Sequence, residues 1–235
     1  MWLYRKIISK NCVFHSTSEL ETQYIRQQFK HDVKIVEIPN FTELPELAAR
    51  DPQKYLLFVG RIKPKKAIEN LIEAVTKSRE FLRSDFVLKI AGRGDEEFLK
   101  HLQKLAEDIG IADRIEFIGQ VEGNAKQQLY ADAYWTFMPS HTENFGMVVL
   151  ESLAQNTPVF ASTGTPWKIL EDEKVGLWRE NSPESLAQAI DKIISMPAEE
   201  YADYRSRGRA FVEGHFDVKK NIHRWNDFYA SLASK

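Results

Sequence analysis

Two stretches of this chain combine residue types and spacings that suit a ligand carrying anionic groups and sugar hydroxyls. In Pro139–Ala154, P-S-H-T-E-N-F-G-M-V-V-L-E-S-L-A, Glu143 stands on a polar loop that Gly146 ends. Glu151 lies inside Met147–Gln155, an apolar-rich segment that reads as a helix. At a helix entrance the first backbone N–H groups have no intrahelical partner, and the dipole turns its positive end outward. Such N–H groups take the oxygens of an anion, while a carboxylate accepts from a pair of vicinal hydroxyls. Taken alone, the same residues also fit a solvated loop carboxylate and a surface glutamate on an ordinary helix.

The second stretch is Gly60-Arg61-Ile62-Lys63-Pro64-Lys65-Lys66. Arg61 directly follows an expected strand, and Lys66 falls where the next helix starts. Gly60 lets the backbone turn tightly. Arginine suits bidentate contact with phosphate oxygens, and lysine acts as a mobile point charge. Pointing the same way, the two would form a cationic clamp able to balance a departing diphosphate without a divalent metal. A solvated basic turn is the plainer reading, and Lys65 competes with Lys66 for the place. Gly92-Arg93-Gly94 lacks the third glycine of a dinucleotide fingerprint and is read as a tight strand-to-helix turn whose backbone can line a pocket. His141 is read as a loop residue. Trp167 and Trp178 are read as packing, with Trp167 the better site candidate because its loop is polar.

These loops need rigid elements behind them. The patterning predicts strands at Tyr55–Val59, Phe86–Ala91, Ile115–Gly119, Ala133–Met138, Pro158–Ala161 and Gly176–Trp178. Helices are predicted between them at Ile68–Lys77, from Asp95 to about Asp108, at Asn124–Tyr130, at Met147–Gln155 and at Pro183–Ser195. In Ile68–Lys77 the apolar residues Ile68, Leu71, Ile72 and Val75 recur at helical spacing. Strand–helix alternation with near-continuous apolar strands argues for an α/β, doubly wound, Rossmann-like parallel sheet with helices on both faces. The loops above then fall beyond the carboxyl ends of strands, where ligands lie in such sheets. The opening adds strands at Asn11–Phe14 and Val33–Ile38 around a helix ending near Phe29, with Ser16 and Glu19 as its capping box. Residues 41–53, with Pro45 and Pro52, read as a linker. Two further helices are expected at Ala198–His215 and Asp217–Ser234.

Composition excludes several classes. The chain has 235 residues and a net charge of -2. No basic patch interleaved with aromatics points to nucleic acid. Cys12 is the only cysteine, so neither an internal disulfide nor a cysteine zinc site is available, and a reducing compartment is the natural reading. The six histidines show no i,i+4 pairing of a metal site. No apolar run reaches membrane-spanning length. The stretch Met1–Ile8 is too short and charged for a signal peptide and reads as a short amphipathic piece.

From about Tyr55 to Ile194 the chain resembles the donor-binding half of the GT-B retaining glycosyltransferases, family 4 (group 1). The matching pieces are F-V-G-R-I at Phe58–Ile62 with Lys66, A-G-R-G at Ala91–Gly94 and I-E-F-I-G-Q-V at Ile115–Val121. E-N-F-G-M-V-V-L-E at Glu143–Glu151 and T-P-V-F-A-S at Thr157–Ser162 complete them. P-S-H-T-E-N-F-G together with T-P-W at Thr165–Trp167 is similar to enzymes that build bacterial surface polysaccharides. The resemblance implies Glu143, Arg61 and Lys66 as the catalytic group, with Arg61 and Lys66 on the donor diphosphate and Glu143 beside the donor sugar. Asn144, Phe145, Gly146 and Met147 would contact sugar or phosphate. Glu151 would accept from ribose, Gln120 and Val121 would lie near the base, and Gly60 and Gly92 would complete the donor site. Transfer would retain the anomeric configuration, with no metal and no cofactor.

Three departures from the family pattern stand out: Ala67 after the lysine, Asn144 in the loop and Asn156 at a helix end, each in place of a glycine. A larger one is that residues 1–40 resemble only a remnant of the family's acceptor domain. On this reading 41–53 is a linker, 54–215 the donor-binding domain, and 216–235 a helix packing toward the opening segment. The function implied is a donor half for metal-independent glycosyl transfer in lipopolysaccharide or exopolysaccharide synthesis. The alternative is an inactive nucleotide-sugar-binding fragment or subunit needing a partner that supplies the acceptor domain. An epimerase or phosphorylase on the same fold is a third reading. The implied partners are a nucleotide-sugar donor and a glycan or lipid-linked acceptor held by the missing domain. The implied place is cytoplasmic, at the inner face of the membrane, with peripheral association of the complete enzyme. Self-association through exposed apolar surface is also expected.

Overall fold

The structure, a computed structural model, describes residues 12–29, 33–48 and 51–233. The expectations for Met1–Ile8 and for the first residue of the opening strand lie outside them. The six strands expected after the linker form one parallel sheet: β3 (Tyr55–Val59), β4 (Val87–Ala91), β5 (Ile115–Gly119), β6 (Trp135–Met138), β7 (Val159–Ser162) and β8 (Gly176–Arg179). Their spatial order is β5-β4-β3-β6-β7-β8. The chain winds outward from β3 to β5, crosses back beside β3, and winds the other way. β6 joins β3 through the register Leu56↔Trp135 and Leu57↔Thr136. The central strands β6 and β7 are buried at every position, as a sheet covered on both faces requires.

Each strand hands over to a helix whose apolar stripe covers one face of the sheet. The helix α2 (Ile68–Lys77) buries Ile68, Leu71, Ile72 and Val75 and packs along α8 (Pro183–Ile194), which buries Leu186, Ile190 and Ile193. Ser182 caps α8, its hydroxyl accepting from Ser185 N, with Pro183 in the first turn. On this side Leu56, Phe58, Leu88, Ile90, Trp135 and Phe137 of the strands meet the helices. The short helix α3 (Arg79–Arg83), not foreseen in the sequence, is capped by Ser78 and buries Phe81. α4 (Glu96–Asp108) starts on Asp95, whose carboxylate accepts from Glu97 N and Phe98 N. α5 (Gly123–Asp132), α6 (Met147–Ala154) and α9 (Ala198–His215) cover the other face; α6 packs against both α5 and α9. The four-residue helix α7 (Ile169–Asp172) lies between β7 and β8. Ala67 adopts φ 50, a left-handed conformation that costs a residue with a Cβ about 1 kcal/mol. Asn156, at φ 59, adopts the same conformation, and its side-chain oxygen accepts from Arg209 N at 3.0 Å.

The opening segment forms a separate parallel pair, β1 (Val13–Ser16) and β2 (Lys34–Glu37), joined by α1 (Glu19–Phe29). The expected capping box is displaced by two residues. Ser16 belongs to β1, and its buried hydroxyl pairs with Thr22 Oγ1 at 2.6 Å. Ser18 is the cap instead: Glu21 N donates to its hydroxyl at 3.3 Å, and Glu21 reaches back to accept from Thr17 N at 2.8 Å. The expected single C-terminal helix is broken at Ile222 into α10 (Val218–Asn221) and α11 (His223–Ala233). α11 runs against the opening pair. The Trp225 ring lies 4.6 Å from the His15 ring, and Arg224 Nη2 donates to Glu37 O at 3.2 Å. Thr42 ties the two ends of the sheet unit together, donating to Phe216 O and accepting from Val218 N. Tyr24, Ile222, Tyr229 and Leu232 are exposed on this side.

Candidate active site

The reversal of winding between β3 and β6 leaves a crevice beyond their carboxyl ends, because the connections from the two strands leave in opposite directions. A cavity of about 580 Å³ occupies it. Gly60 and Arg61 reach it from the tip of β3, Gly92 and Arg93 from β4, Gln120 and Val121 from β5, and Ser140 and Glu143 from β6. Gly146, Met147 and Glu151 enter with α6, and Lys66 with the turn before α2. Arg61 and Glu151, brought by different crossovers, therefore face one space. Lys66 lines the cavity and Lys65 does not.

Four of the charges inside form two ion pairs. The Lys66 ammonium forms an ion pair with Glu143, the two side chains being 16% and 14% exposed. Ser140 Oγ donates to the same carboxylate oxygen at 3.3 Å. Glu151 receives Lys126 Nζ on one oxygen at 2.7 Å and the Tyr130 hydroxyl on the other at 2.9 Å. Burial, followed by the negative charge of Glu151, pushes the Tyr130 hydroxyl well above the ordinary phenol value, so it remains a donor. Each oxygen of Glu151 keeps a free lone pair for a ligand hydroxyl. Gln120 Nε2 donates to Glu122. The side chains of Arg61 and Arg93 make no hydrogen bond or ion pair among the described residues.

Backbone contacts fix the loops. Gly92 has φ 143, and a Cβ there would stand 1.8 Å from Gly60 O. Only glycine lets the β4 tip lie against the β3 tip in this way. The contact is completed by Gly60 N donating to Ala91 O and Ile62 N to Arg93 O, each at 3.0 Å. The loop after β6 is held by His141 N on Lys65 O at 3.0 Å and Glu143 N on Gly164 O at 3.2 Å. Asn181 donates to Pro139 O at 2.8 Å and meets His141 Nδ1 at 3.0 Å.

Successive residues of this loop face different spaces. Glu143, Gly146 and Met147 line the cavity; the side chains of Asn144 and Phe145 do not. Asn144 turns to the opening segment, where its amide donates to Glu21 Oε1 at 3.1 Å and its carbonyl accepts from the Ser18 hydroxyl at 3.1 Å. Phe145 is buried edge-on against Trp167, 5.0 Å between centroids, and faces a second cavity of about 570 Å³ under the opening segment. Trp167 is a packing residue whose indole N–H donates to Phe145 O.

The sequence reading missed Lys126, Tyr130, Ser140 and Arg93. Lys126 and Tyr130 are four apart on α5, hence on one face of it, and both point to Glu151. That polar i,i+4 pair was the available signal. Ser140, two residues after β6, had none.

The reversed parallel sheet with a crevice at its switch point makes this a doubly wound, Rossmann-like α/β unit of the ligand-binding kind. The chain belongs to the family of glycosyl transferases group 1, whose model matches residues 40–211. An uncharacterized glycosyltransferase of Methanocaldococcus jannaschii is 36% identical over 151 residues, covering 63% of this chain and 38% of that protein. A D-inositol 3-phosphate glycosyltransferase of Mycolicibacterium gilvum is 30% identical over 189 residues, covering 76% of this chain and 40% of its own length. The chain thus spans about two fifths of these relatives. Among solved structures, sucrose-phosphate synthase from Thermosynechococcus elongatus superposes with a TM-score of 0.85 at 25% identity, over 99% of this chain and 61% of the other. Anabaena HepE, solved with UDP and glucose, gives 0.82 at 18% identity, over 100% and 66%; this likeness is one of fold.

Proposed function

We propose that this chain is the donor-binding half of a configuration-retaining glycosyltransferase that takes a nucleotide-diphosphate sugar without a metal ion. The observation that carries the reading is the convergence of Arg61, Lys66, Glu143 and Glu151 on one crevice. Arg61 and Lys66 would carry the diphosphate and offset the charge it gains as it leaves. Glu143 lies beside the place for the donor sugar, held there by Lys66 and Ser140. Glu151, oriented by Lys126 and Tyr130, would accept from the ribose hydroxyls. Gln120 and Val121, which line the same cavity, would border the base. HepE, of the same fold, was solved with UDP and glucose. The acceptor would be a glycan or lipid-linked glycan of a lipopolysaccharide or exopolysaccharide, met at the inner face of the cytoplasmic membrane. Among the described residues no helix is long and apolar enough to cross a membrane.

Calorimetry with UDP, GDP and ADP in the presence of a chelator tests the donor reading. One of them should bind, and Glu151→Ala should weaken it by about 1.5–3 kcal/mol, the worth of a charge-assisted hydrogen bond. A folded chain that takes none of the three would remove the reading. A second reading is a nucleotide-sugar-binding subunit without turnover of its own. A transfer assay on the chain alone, with donor and a lipid-linked glycan, separates the two.

A further inference from the structure

We infer that Arg93 is a donor-binding residue that takes the phosphate next to the ribose, leaving Arg61 the phosphate next to the sugar. This rests on the donor reading above and assigns a residue of the same crevice. The tips of β3 and β4 continue as neighbours beyond the strands: Ile62 and Gly94 form a parallel bridge, and Ile62 N donates to Arg93 O at 3.0 Å. In a parallel pair, residues one step before bridged partners are lateral neighbours whose side chains leave on the same side. Arg61 and Arg93 hold those positions, and both line the cavity.

Their charges are unspent. Of the other cations at the cavity, Lys66 is paired with Glu143 and Lys126 with Glu151. Glu122, a further carboxylate on the rim, accepts from Gln120. Two guanidiniums side by side, without a carboxylate between them, repel each other and suit a ligand with two adjacent negative groups. Their order along the crevice decides which group each takes. Going across the sheet, the tips run Gln120 and Val121 on β5, Arg93 on β4, Arg61 on β3, then Glu143 after β6. Neighbouring tips are about 4.8 Å apart. With the base at the β5 end and the sugar at the β6 end, the diphosphate spans β4 and β3. Arg93 then stands on the nucleoside side.

The test compares nucleoside diphosphate with monophosphate. UDP and UMP (or the GDP and GMP, or ADP and AMP pair, if the wild type takes that base) are titrated into wild type, Arg93→Gln and Arg61→Gln, with circular dichroism confirming the fold. Arg93→Gln should weaken both ligands by a similar factor, about ten- to a hundredfold, leaving their ratio unchanged. Arg61→Gln should weaken the diphosphate and leave the monophosphate nearly unchanged. The Arg93→Gln deficit should shrink as NaCl rises, because a phosphate contact at an exposed residue is screened. Unaltered monophosphate affinity in Arg93→Gln overturns the assignment. So does a deficit that ignores salt, which would mean the guanidinium stacks on the base instead. A wild type that takes none of the nucleotides overturns the donor reading and this inference with it.

Discussion

Replacing Gly92 by alanine should damage the site without touching a charged group. The residue sits at φ 143, and the new Cβ would lie 1.8 Å from Gly60 O and 2.9 Å from Gly60 C. A carbon and a carbonyl oxygen need more than 3 Å, and the obstacle is backbone, so the β3 and β4 tips must part by over an ångström. That separation stretches Gly60 N–Ala91 O and Ile62 N–Arg93 O, both 3.0 Å. Backbone strain of about 1–3 kcal/mol adds to about 0.5–1.5 kcal/mol for each weakened hydrogen bond. The expected loss is about 3–5 kcal/mol, a drop in melting temperature on the order of 10 °C for a chain of this size. Urea unfolding gives the free energy, and calorimetry should show nucleotide diphosphate affinity falling more than tenfold, since Arg61 and Arg93 ride on the two tips. Gly110→Ala is the control, at φ 73 with nothing within 4 Å of the added carbon. It should cost about 1 kcal/mol and leave binding alone. Equal stability of Gly92→Ala and wild type would refute the packing of the two tips.

Lys66→Ala strands Glu143 at 14% exposure and should cost about 3 kcal/mol of stability. The double variant Lys66→Ala/Glu143→Ala should recover part of it, and strictly additive losses in denaturant titrations would show that the pair is uncoupled. Tyr130→Phe removes a buried donor from Glu151 and should cost about 1–3 kcal/mol by the same titration, with weaker nucleotide binding. Because the folded Tyr130 hydroxyl titrates above its ordinary value of 10.0, the unfolded chain loses that proton first. Stability is then intact below pH 10 and falls as pH rises beyond it; a flatter alkaline limb in Tyr130→Phe checks the sign. Glu21→Ala releases Thr17 N and the Asn144 amide and should cost about 1 kcal/mol. Hydrogen exchange across 141–146 should quicken, and unchanged exchange there would deny the link.

The sheet was legible because its strands are buried on both faces and read as short apolar runs between helical patterns. Ile68, Leu71, Ile72 and Val75 gave away α2 by spacing alone. What failed failed for local reasons. Ser16 and Ser18 each stand three residues before a glutamate, and only the extent of β1 decides which of them caps α1. Ile222 interrupts the last helix with no proline or glycine to mark it. Of the residues lining the crevice, Arg61, Lys66 and Glu143 stood out by their place after strands and Glu151 by its place in the helix that follows, whereas Arg93 and Lys126 did not. That Asn144 and Phe145 turn away from the cavity depends on the opening segment and Trp167, more than 20 residues distant in either direction, so no local pattern contains it. The partners of Glu151 were hidden for the same reason, since α5 and α6 meet only in the folded chain.

The alternation along Glu143, Asn144, Phe145 and Gly146 gives the loop a consequence for traffic between the two halves of the molecule. One short run of backbone is anchored at once to the sheet unit, to α1 and to an aromatic floor. It cannot shift for one neighbour and stay put for the others. The backbone that carries Glu143 into the crevice is thus the same backbone that Ser18 and Glu21 of the opening segment hold through Asn144.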